Sequence, residues 1–195
     1  MQAFDSLSRD IQQYIYDKGW PSLTSIQNAA IKQVANTDHN LILSAPTASG
    51  KTEAAFIPAL NSVEDWETGL KVLYISPLKA LINDQFQRIS ELSEYLDIPI
   101  TRWHGEVSQA QKRKVVYQPK GVLLITPESI EGMLVNRPGE AQHLFKGVEW
   151  IIIDELHSFL GTERGIHLQS LLQRISQFMQ EPRLIAMSAT LNKKD

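Results

Sequence analysis

The sequence of 195 residues contains no cysteine. That excludes disulfide staples and thiolate metal sites, and it fits a reducing cytoplasm. No apolar run reaches the roughly 18 residues that a membrane-crossing helix needs. Residues 1–20 lack the basic start and apolar middle of a signal peptide. There is no internal repeat and no low-complexity segment. An excess of positive charge is also missing: 19 Lys and Arg stand against 22 Asp and Glu, a net charge of −3. Binding of nucleic acid by bulk charge is thereby excluded, so any such binding must use local groups. What is present is 43% hydrophobic and 21% charged residues, enough for a sizeable core and unlike a disordered chain. At about 150 residues per domain, the length allows one domain, or at most one and a half.

The most informative stretch is Asn40 to Thr52. A short apolar run, Leu41-Ile42-Leu43, leads into Ser44-Ala45-Pro46-Thr47-Ala48-Ser49-Gly50-Lys51-Thr52. A helix-forming run, Glu53-Ala54-Ala55-Phe56, follows at once. Strand, small-residue loop and helix form the setting of a phosphate-binding loop. Backbone N–H groups of the loop would face an anion, helped by the positive end of the new helix. Lys51 would reach the β- and γ-phosphates, and the Thr52 hydroxyl would sit on Mg²⁺. The general pattern G-x-x-x-x-G-K-[ST] has glycine where this chain has Ala45, while Gly50 keeps the position of closest backbone approach.

Around this stretch the chain alternates. Residues 6–18 carry apolar positions at helical spacing, broken by Gly19-Trp20-Pro21, and a second helix starts at Thr24. Strands are expected at 41–44, 71–75, 98–103, 121–126, 148–153 and 183–188. Helical stripes are expected over 78–96, 108–117, 128–135 and 168–179, with Pro138 and Gly139 as an interruption. The strand runs are short and continuously apolar, as in strands covered on both faces. Regular alternation predicts an α/β fold with a parallel, doubly wound sheet and helices on both faces. Ligands in such sheets bind beyond the carboxyl ends of the strands. The motif-bearing polar clusters described below fall at such an end. Asp154-Glu155 follows directly on the VEWIII strand. Paired with the upstream Gly-Lys-Thr, it forms the second half of an ATPase site. Asp154 would hold Mg²⁺, and Glu155 would orient and deprotonate the attacking water. Read alone, the pair is equally an acidic start to a helix.

These motifs together resemble superfamily 2 helicases. Asp154-Glu155-Leu156-His157 is similar to the D-E-x-H box, and Ala45 to Thr52 to motif I, where alanine in the first position is usual. Ser188-Ala189-Thr190 resembles motif III, Ser76 to Leu81 motif Ia, and Thr126-Pro127-Glu128-Ser129 motif Ib. Gly19 to Gln27 resembles the Q motif. The run Asp154 to Gly165 is most similar to the large-helicase-related branch. The resemblance implies a RecA-like P-loop domain spanning 40–195, preceded by a helical segment, 1–39, that carries the Q-like motif. It implies ATP and Mg²⁺ as cofactors. It assigns catalysis to Lys51, Asp154, Glu155 and His157, with His157 facing the γ-phosphate side. It assigns nucleotide contact to Gln27 and the loop from Pro46 to Thr52, and metal to Thr52 and Asp154.

Coupling between nucleotide and strand falls, on the same resemblance, to Ser188 and Thr190. Nucleic acid would lie on Pro77, Lys79, Thr126, Pro127, Trp103 and Gly105. Some of these residues have plainer readings. Thr24-x-x-Gln27 is also a capping box, which competes with adenine reading by Gln27. Trp103 can stack on a base or end a buried strand. Glu128 is suited to capping rather than to phosphate, and Lys112-Arg113-Lys114 to a solvated surface. Phe4 is the candidate to stack on the adenine. The implied activity is ATP-driven translocation along, or unwinding of, a nucleic acid, with DNA favoured over RNA. A duplex translocase and a nucleotide-gated binding module are the alternatives. The family pairs two such domains, and the second supplies the arginine fingers. This chain stops five residues after motif III. The missing partner, in the same chain or a separate subunit, implies poor hydrolysis by this piece alone, since an arginine finger contributes on the order of 10³–10⁵ in rate.

Overall fold

The structure is a computed structural model that describes residues 2–46 and 48–189. Six strands form one sheet in which every pairing is parallel: β1 (Leu41–Ser44), β2 (Gly69–Ile75), β3 (Ile100–Trp103), β4 (Lys120–Ile125), β5 (Trp150–Ile153) and β6 (Arg183–Ser188). Their order across the sheet is β1-β6-β5-β2-β4-β3. The registers bring Ser44 beside Ser188, Ile75 beside both Ile153 and Ile125, and Trp103 beside Ile125. All six strands therefore end along one edge. That edge is where a parallel sheet gathers its binding groups.

Helices cover both faces. On one side lie α1 (Arg9–Asp17), α2 (Ser25–Asn36), α3 (Lys51–Ser62) and α4 (Lys79–Tyr95), which share a core with Val72, Tyr74, Val122, Leu124, Ile152 and Ile185. On the other lie α6 (Pro127–Asn136), α7 (Pro138–Phe145) and α8 (Glu163–Ser176), packed on Leu73, Ile75, Leu123, Ile125, Ile151 and Ile153. Between β3 and β4 runs α5 (Gln109–Tyr117), which buries no residue fully. Successive residues of β2, β4 and β5 enter opposite cores, so these strands read as unbroken apolar runs. The doubly wound sheet expected from the alternation is the one observed.

The departures have local causes. The first helical stripe divides: a single 3₁₀ turn, Phe4–Ser6, precedes α1, whose entry is capped by the Ser8 side chain accepting from the Ile11 N–H. The interruption expected at Pro138 and Gly139 is present, at Arg137, but Pro138 then begins a further helix, α7, that was not expected. Proline at the first helical position has no N–H to lose, and α7 buries Ala141, Leu144 and Phe145. A single residue, Arg137, joins α6 to α7. The last helix starts at Glu163, five residues before the apolar stripe, because the Thr162 hydroxyl caps it by accepting from the Gly165 N–H. Finally, β1 is not covered on both faces. It is an edge strand in which Ile42 is 62% exposed.

One packing contact joins the first helix after the phosphate loop to the middle of the sheet. Phe56 of α3 is fully buried and stacks on Tyr74 of β2, ring centroids 5.6 Å apart. Truncating a buried aromatic side chain removes its transfer free energy and leaves a cavity. Phe56→Ala is expected to lower stability by about 3–5 kcal/mol in denaturant melts; a loss below about 1 kcal/mol would mean that the contact is not part of a packed core.

Candidate functional site

Two strand exits and the strand between them build the site. After β1 the chain turns through Ala45, whose N–H donates to the Ser188 carbonyl of β6 (3.3 Å). Gly50 precedes α3 with φ +85°, a left-handed conformation that favours glycine. A Cβ there would lie 2.6 Å from the Gln27 side-chain nitrogen, which would have to move aside; the positive φ is what favours glycine. The Lys51 ammonium bends back onto the carbonyls of Ala45 and of Pro46 (2.8 Å). Ser49 carries a buried hydroxyl with no hydrogen-bond partner among the described residues. Ala48 is left-handed, φ +62°. Thr47 lies outside the described residues. The Thr52 hydroxyl, in the first turn of α3, is buried and donates to Gln85 of α4 (3.1 Å).

Gln27 forms the capping box: its side-chain oxygen accepts from the Thr24 N–H (2.9 Å) and its own N–H donates to the Thr24 hydroxyl (3.4 Å). Its amide nitrogen also reaches the Gly50 carbonyl at 3.5 Å. The residue thus straps α2 to the loop. Phe4 is half-buried and borders a cavity of about 410 Å³ with Tyr16, Trp20 and Leu23.

Two strands away, β5 ends in Asp154, which is 6% exposed. One carboxylate oxygen accepts from the buried Tyr74 hydroxyl and the other from the Glu155 N–H (2.9 Å). Burial raises the Asp154 pKa. The Tyr74 hydrogen bond opposes the rise, followed by the Glu155 N–H and the charges of Lys51 and His157. Burial and the neighbouring Asp154 charge push the Tyr74 hydroxyl well above its ordinary value, so it stays a donor. Glu155 stands in the left-handed region, φ +49° and ψ +45°, a strained conformation for a residue with a Cβ. That turn swings its carboxylate to His157, whose Nε2 lies 3.2 Å away. The other nitrogen, Nδ1, lies 3.3 Å from the Ser188 hydroxyl on β6. A chain of contacts thus runs from Glu155 through His157 to the end of β6. Thr190 falls outside the described residues.

The remaining strand exits face the same edge. Pro77 is buried and its carbonyl accepts from Arg164 of α8 (2.8 Å). Lys79 is exposed and paired with Glu106. Thr126 caps α6: its hydroxyl accepts from the Ser129 N–H (3.3 Å) and donates to the Ser129 hydroxyl (3.0 Å). Pro127 opens that helix, and Glu128 pairs with Arg164 (2.6 Å) rather than capping. Gly105 is exposed on a shallow groove shared with Lys112, Ser129 and Arg137. Trp103 is the buried strand-end residue of its two readings. It is 7% exposed within the core, and the Lys112 ammonium lies 5.7 Å from its ring centre, so its face is not open to a base.

The family model of the DEAD/DEAH box helicases matches residues 24–195. The chain belongs to the DEAD/DEAH box helicase family. It is similar to the ATP-dependent helicase Lhr-Core of Methanocaldococcus jannaschii, 29% identical over 98% of this chain and 24% of that protein. It is 34% identical to the Lhr helicase/uracil glycosylase of Escherichia coli over 86% of this chain and 12% of that protein. Its fold is similar to the structure of Mycobacterium smegmatis helicase Lhr bound to ssDNA and AMP-PNP. The TM-score is 0.86 with 29% identity, covering 99% of this chain and 26% of that one. The chain thus spans about a quarter or less of the length of these relatives.

In this helicase-family domain the residues fit a magnesium-bound nucleotide. The Ser49 hydroxyl is buried with no hydrogen-bond partner among the described residues, and the Lys51 ammonium is folded onto carbonyls of its own loop, where an anion could replace them. Among the described residues no cluster of three His, Asp or Glu could cage a metal by itself. Magnesium held by one or two protein oxygens plus phosphates needs none. Thr52 and Asp154 would supply those oxygens.

Three contributors were not picked out by sequence reasoning. Tyr74 looks like an ordinary strand aromatic; its only signal is a hydroxyl inside an apolar run. Gln85 sits on a helix with no motif around it, and Arg164 lies in the run Asp154 to Gly165 with no role assigned to it.

The pH dependence follows from Asp154. A carboxyl whose folded pKa is raised adds stability below its unfolded pKa and loses it as pH rises through the folded value. Ionised Asp154 therefore costs stability at neutral pH. Asp154→Asn is expected to melt at or above the parent temperature at pH 8, with a smaller gap at pH 5, and to lose the thermal shift given by Mg²⁺ and nucleotide. A melting temperature several degrees below the parent at pH 8 would contradict this.

Proposed function

We propose that this chain is the first ATP-binding motor domain of a DExH helicase that couples ATP hydrolysis to movement along, or separation of, nucleic-acid strands. We divide it into a helical segment, 1–39, and a RecA-like domain, 40–195. The reading rests above all on one observation: the strand exit after β5 carries a buried Asp154 carboxylate held by Tyr74, and beside it His157 bridges Glu155 and Ser188.

Each residue then has a task set by its geometry. Lys51 exchanges two neutral carbonyls for phosphate oxygens, a stronger partner for an ammonium. N–H groups of Ala48, Ser49 and Gly50 and the first turn of α3 orient the phosphates, with Gln27 directed to the adenine side. Thr52 and Asp154 hold the metal, which when bound neutralises charge on the β- and γ-phosphates. Glu155 orients the attacking water and accepts its proton. His157 fixes the Glu155 carboxylate and ties it to Ser188, with Thr190 completing the coupling turn. Pro77, Lys79, Thr126, Pro127 and Gly105 lie at strand exits where backbone N–H groups and an ammonium can meet a phosphate backbone. For Lys79 that requires release from Glu106.

Names and titles of the relatives, an Lhr helicase/uracil glycosylase and an Lhr helicase bound to ssDNA, favour DNA over RNA as the track. A second RecA-like domain, in the full-length chain or a partner subunit, would close on this edge. We place the protein in the cytoplasm, where ATP and nucleic acid meet.

The test is nucleotide binding and phosphate release by the intact protein with single-stranded DNA. Lys51→Ala is expected to remove about 3–4 kcal/mol of transition-state stabilisation. Glu155→Gln is expected to keep Mg²⁺-nucleotide affinity within about twofold while turnover falls by roughly 10²-fold or more. Unchanged DNA-stimulated hydrolysis in Lys51→Ala would defeat the site assignment, and unimpaired turnover in Glu155→Gln would remove the base.

A further inference from the structure

Arg164 lies in the first turn of α8, ten residues beyond Asp154, near the end of the run Asp154 to Gly165, which gave it no role of its own. A single guanidinium nitrogen, Nη2, donates to two acceptors on different elements. One is the Pro77 carbonyl at the exit of β2 (2.8 Å); the other is the Glu128 carboxylate in the first turn of α6 (2.6 Å). These acceptors are 87 and 36 residues away in the chain. That nitrogen carries two hydrogens, so the two bonds use its full capacity. The guanidinium also lies over the Phe159 ring, 5.7 Å from its centre.

Phe159 and Gly165 explain how Arg164 is placed. Phe159 closes the turn that starts at the acidic pair and is 2% exposed. A Cβ on Gly165 would fall 2.0 Å from the Phe159 carbonyl oxygen. Only glycine lets α8 press its first turn against that carbonyl. The turn from Asp154 to Phe159, the start of α8 and the guanidinium are therefore one packed unit. A shift of the acidic turn is carried to α8 through backbone contact rather than through a soft side chain. Further along the same interface, Glu131 of α6 pairs with Arg174 of α8 through its two terminal guanidinium nitrogens, Nη1 and Nη2, and with His167 (2.9 Å). Held by Arg174 first and His167 second, Glu131 has its pKa lowered to about 2. The far half of the α6–α8 pair is thereby pinned, and the Arg164 end is left as the part that meets the strand exits.

From these contacts we infer that Arg164 is a positioning residue that transmits nucleotide occupancy at Asp154 and Glu155 to the two strand exits carrying Pro77–Lys79 and Thr126–Glu128. It touches neither nucleotide nor metal. Its two acceptors bracket the edge proposed to meet the phosphate backbone, so one side chain sets the spacing between two of its contact points. This rests on the function proposed above and adds the element that joins its two halves.

The experiment is hydrogen exchange on the intact protein, with and without Mg²⁺ and AMP-PNP, in the parent, Arg164→Met and Arg164→Lys. In the parent, nucleotide is expected to slow exchange at residues 48–54 and to change it at residues 77–82 and 126–131. Arg164→Met should keep the change at 48–54 within about twofold and reduce the distant change by about fivefold or more. Arg164→Lys, whose ammonium can donate to both oxygens, should restore most of it. A merely structural Arg164 would alter basal exchange without altering the nucleotide response. If Arg164→Met does not fold, Glu128→Ala, which removes one acceptor, decides by the same readout. Absence of any change at 48–54 in the parent defeats the nucleotide site itself. A response at 48–54 with no distant change in the parent, or with a distant change that survives in the variant, overturns the role of Arg164.

Discussion

Asp154 is a carboxylate kept out of water, with both oxygens bonded inside the protein. Removing such a charge from solvent costs several kcal/mol unless hydrogen bonds and opposite charge offset it. The Tyr74 hydroxyl supplies the first offset and the Glu155 N–H the second. Tyr74 can hold its position because Phe56 stacks against its ring. Phe56 belongs to α3, whose first residue is Lys51. A single packed path thus leads from the lysine at one strand exit to the carboxylate two strands away. The two halves of the site are not placed independently. They share a helix, an aromatic pair and a hydrogen bond.

Backbone strain is concentrated at the same place. Among the described residues, four that are not glycine have positive φ, and two of them, Ala48 and Glu155, lie in the phosphate loop and the acidic turn. A left-handed residue with a Cβ costs on the order of 1–3 kcal/mol and persists only where its surroundings hold it. For Glu155 the return is direction. The turn aims its carboxylate at His157 and so at β6, rather than along the strand. Cost in burial at Asp154 and in conformation at Glu155 is the pattern of a site shaped for function more than for stability.

The parallel sheet was legible because β2, β4 and β5 are buried on both faces and their apolar runs end abruptly in polar residues. Those abrupt ends also mark the candidate site, since topology gathers strand exits on one edge. The start of β1 and the whole of β6 were read correctly from the same signal. What escaped is instructive. Pro138 reads as a stop by composition, yet proline suits a first helical turn, and only the burial of Leu144 and Phe145 shows that a helix follows. Trp103 could not be placed from sequence, because a strand-end tryptophan looks the same whether it meets a base or a core. Tyr74, Gln85 and Arg164 act through partners 80, 33 and 87 residues away, and no local pattern encodes such pairings. The Gln27 capping box was local, and the sequence alone foresaw it as one of two uses.

Convergence of Lys51 and Asp154 on one magnesium-bound triphosphate can be tested in a single titration. Backbone amide NMR of the protein, followed as Mg²⁺ and AMP-PNP are added together, reports both strand exits at once. Resonances from residues 48–52 and 154–157 should move along one isotherm, with the same midpoint. Movement of the phosphate-loop resonances with the acidic turn unmoved, or two separate midpoints, would mean that the two exits do not share a ligand.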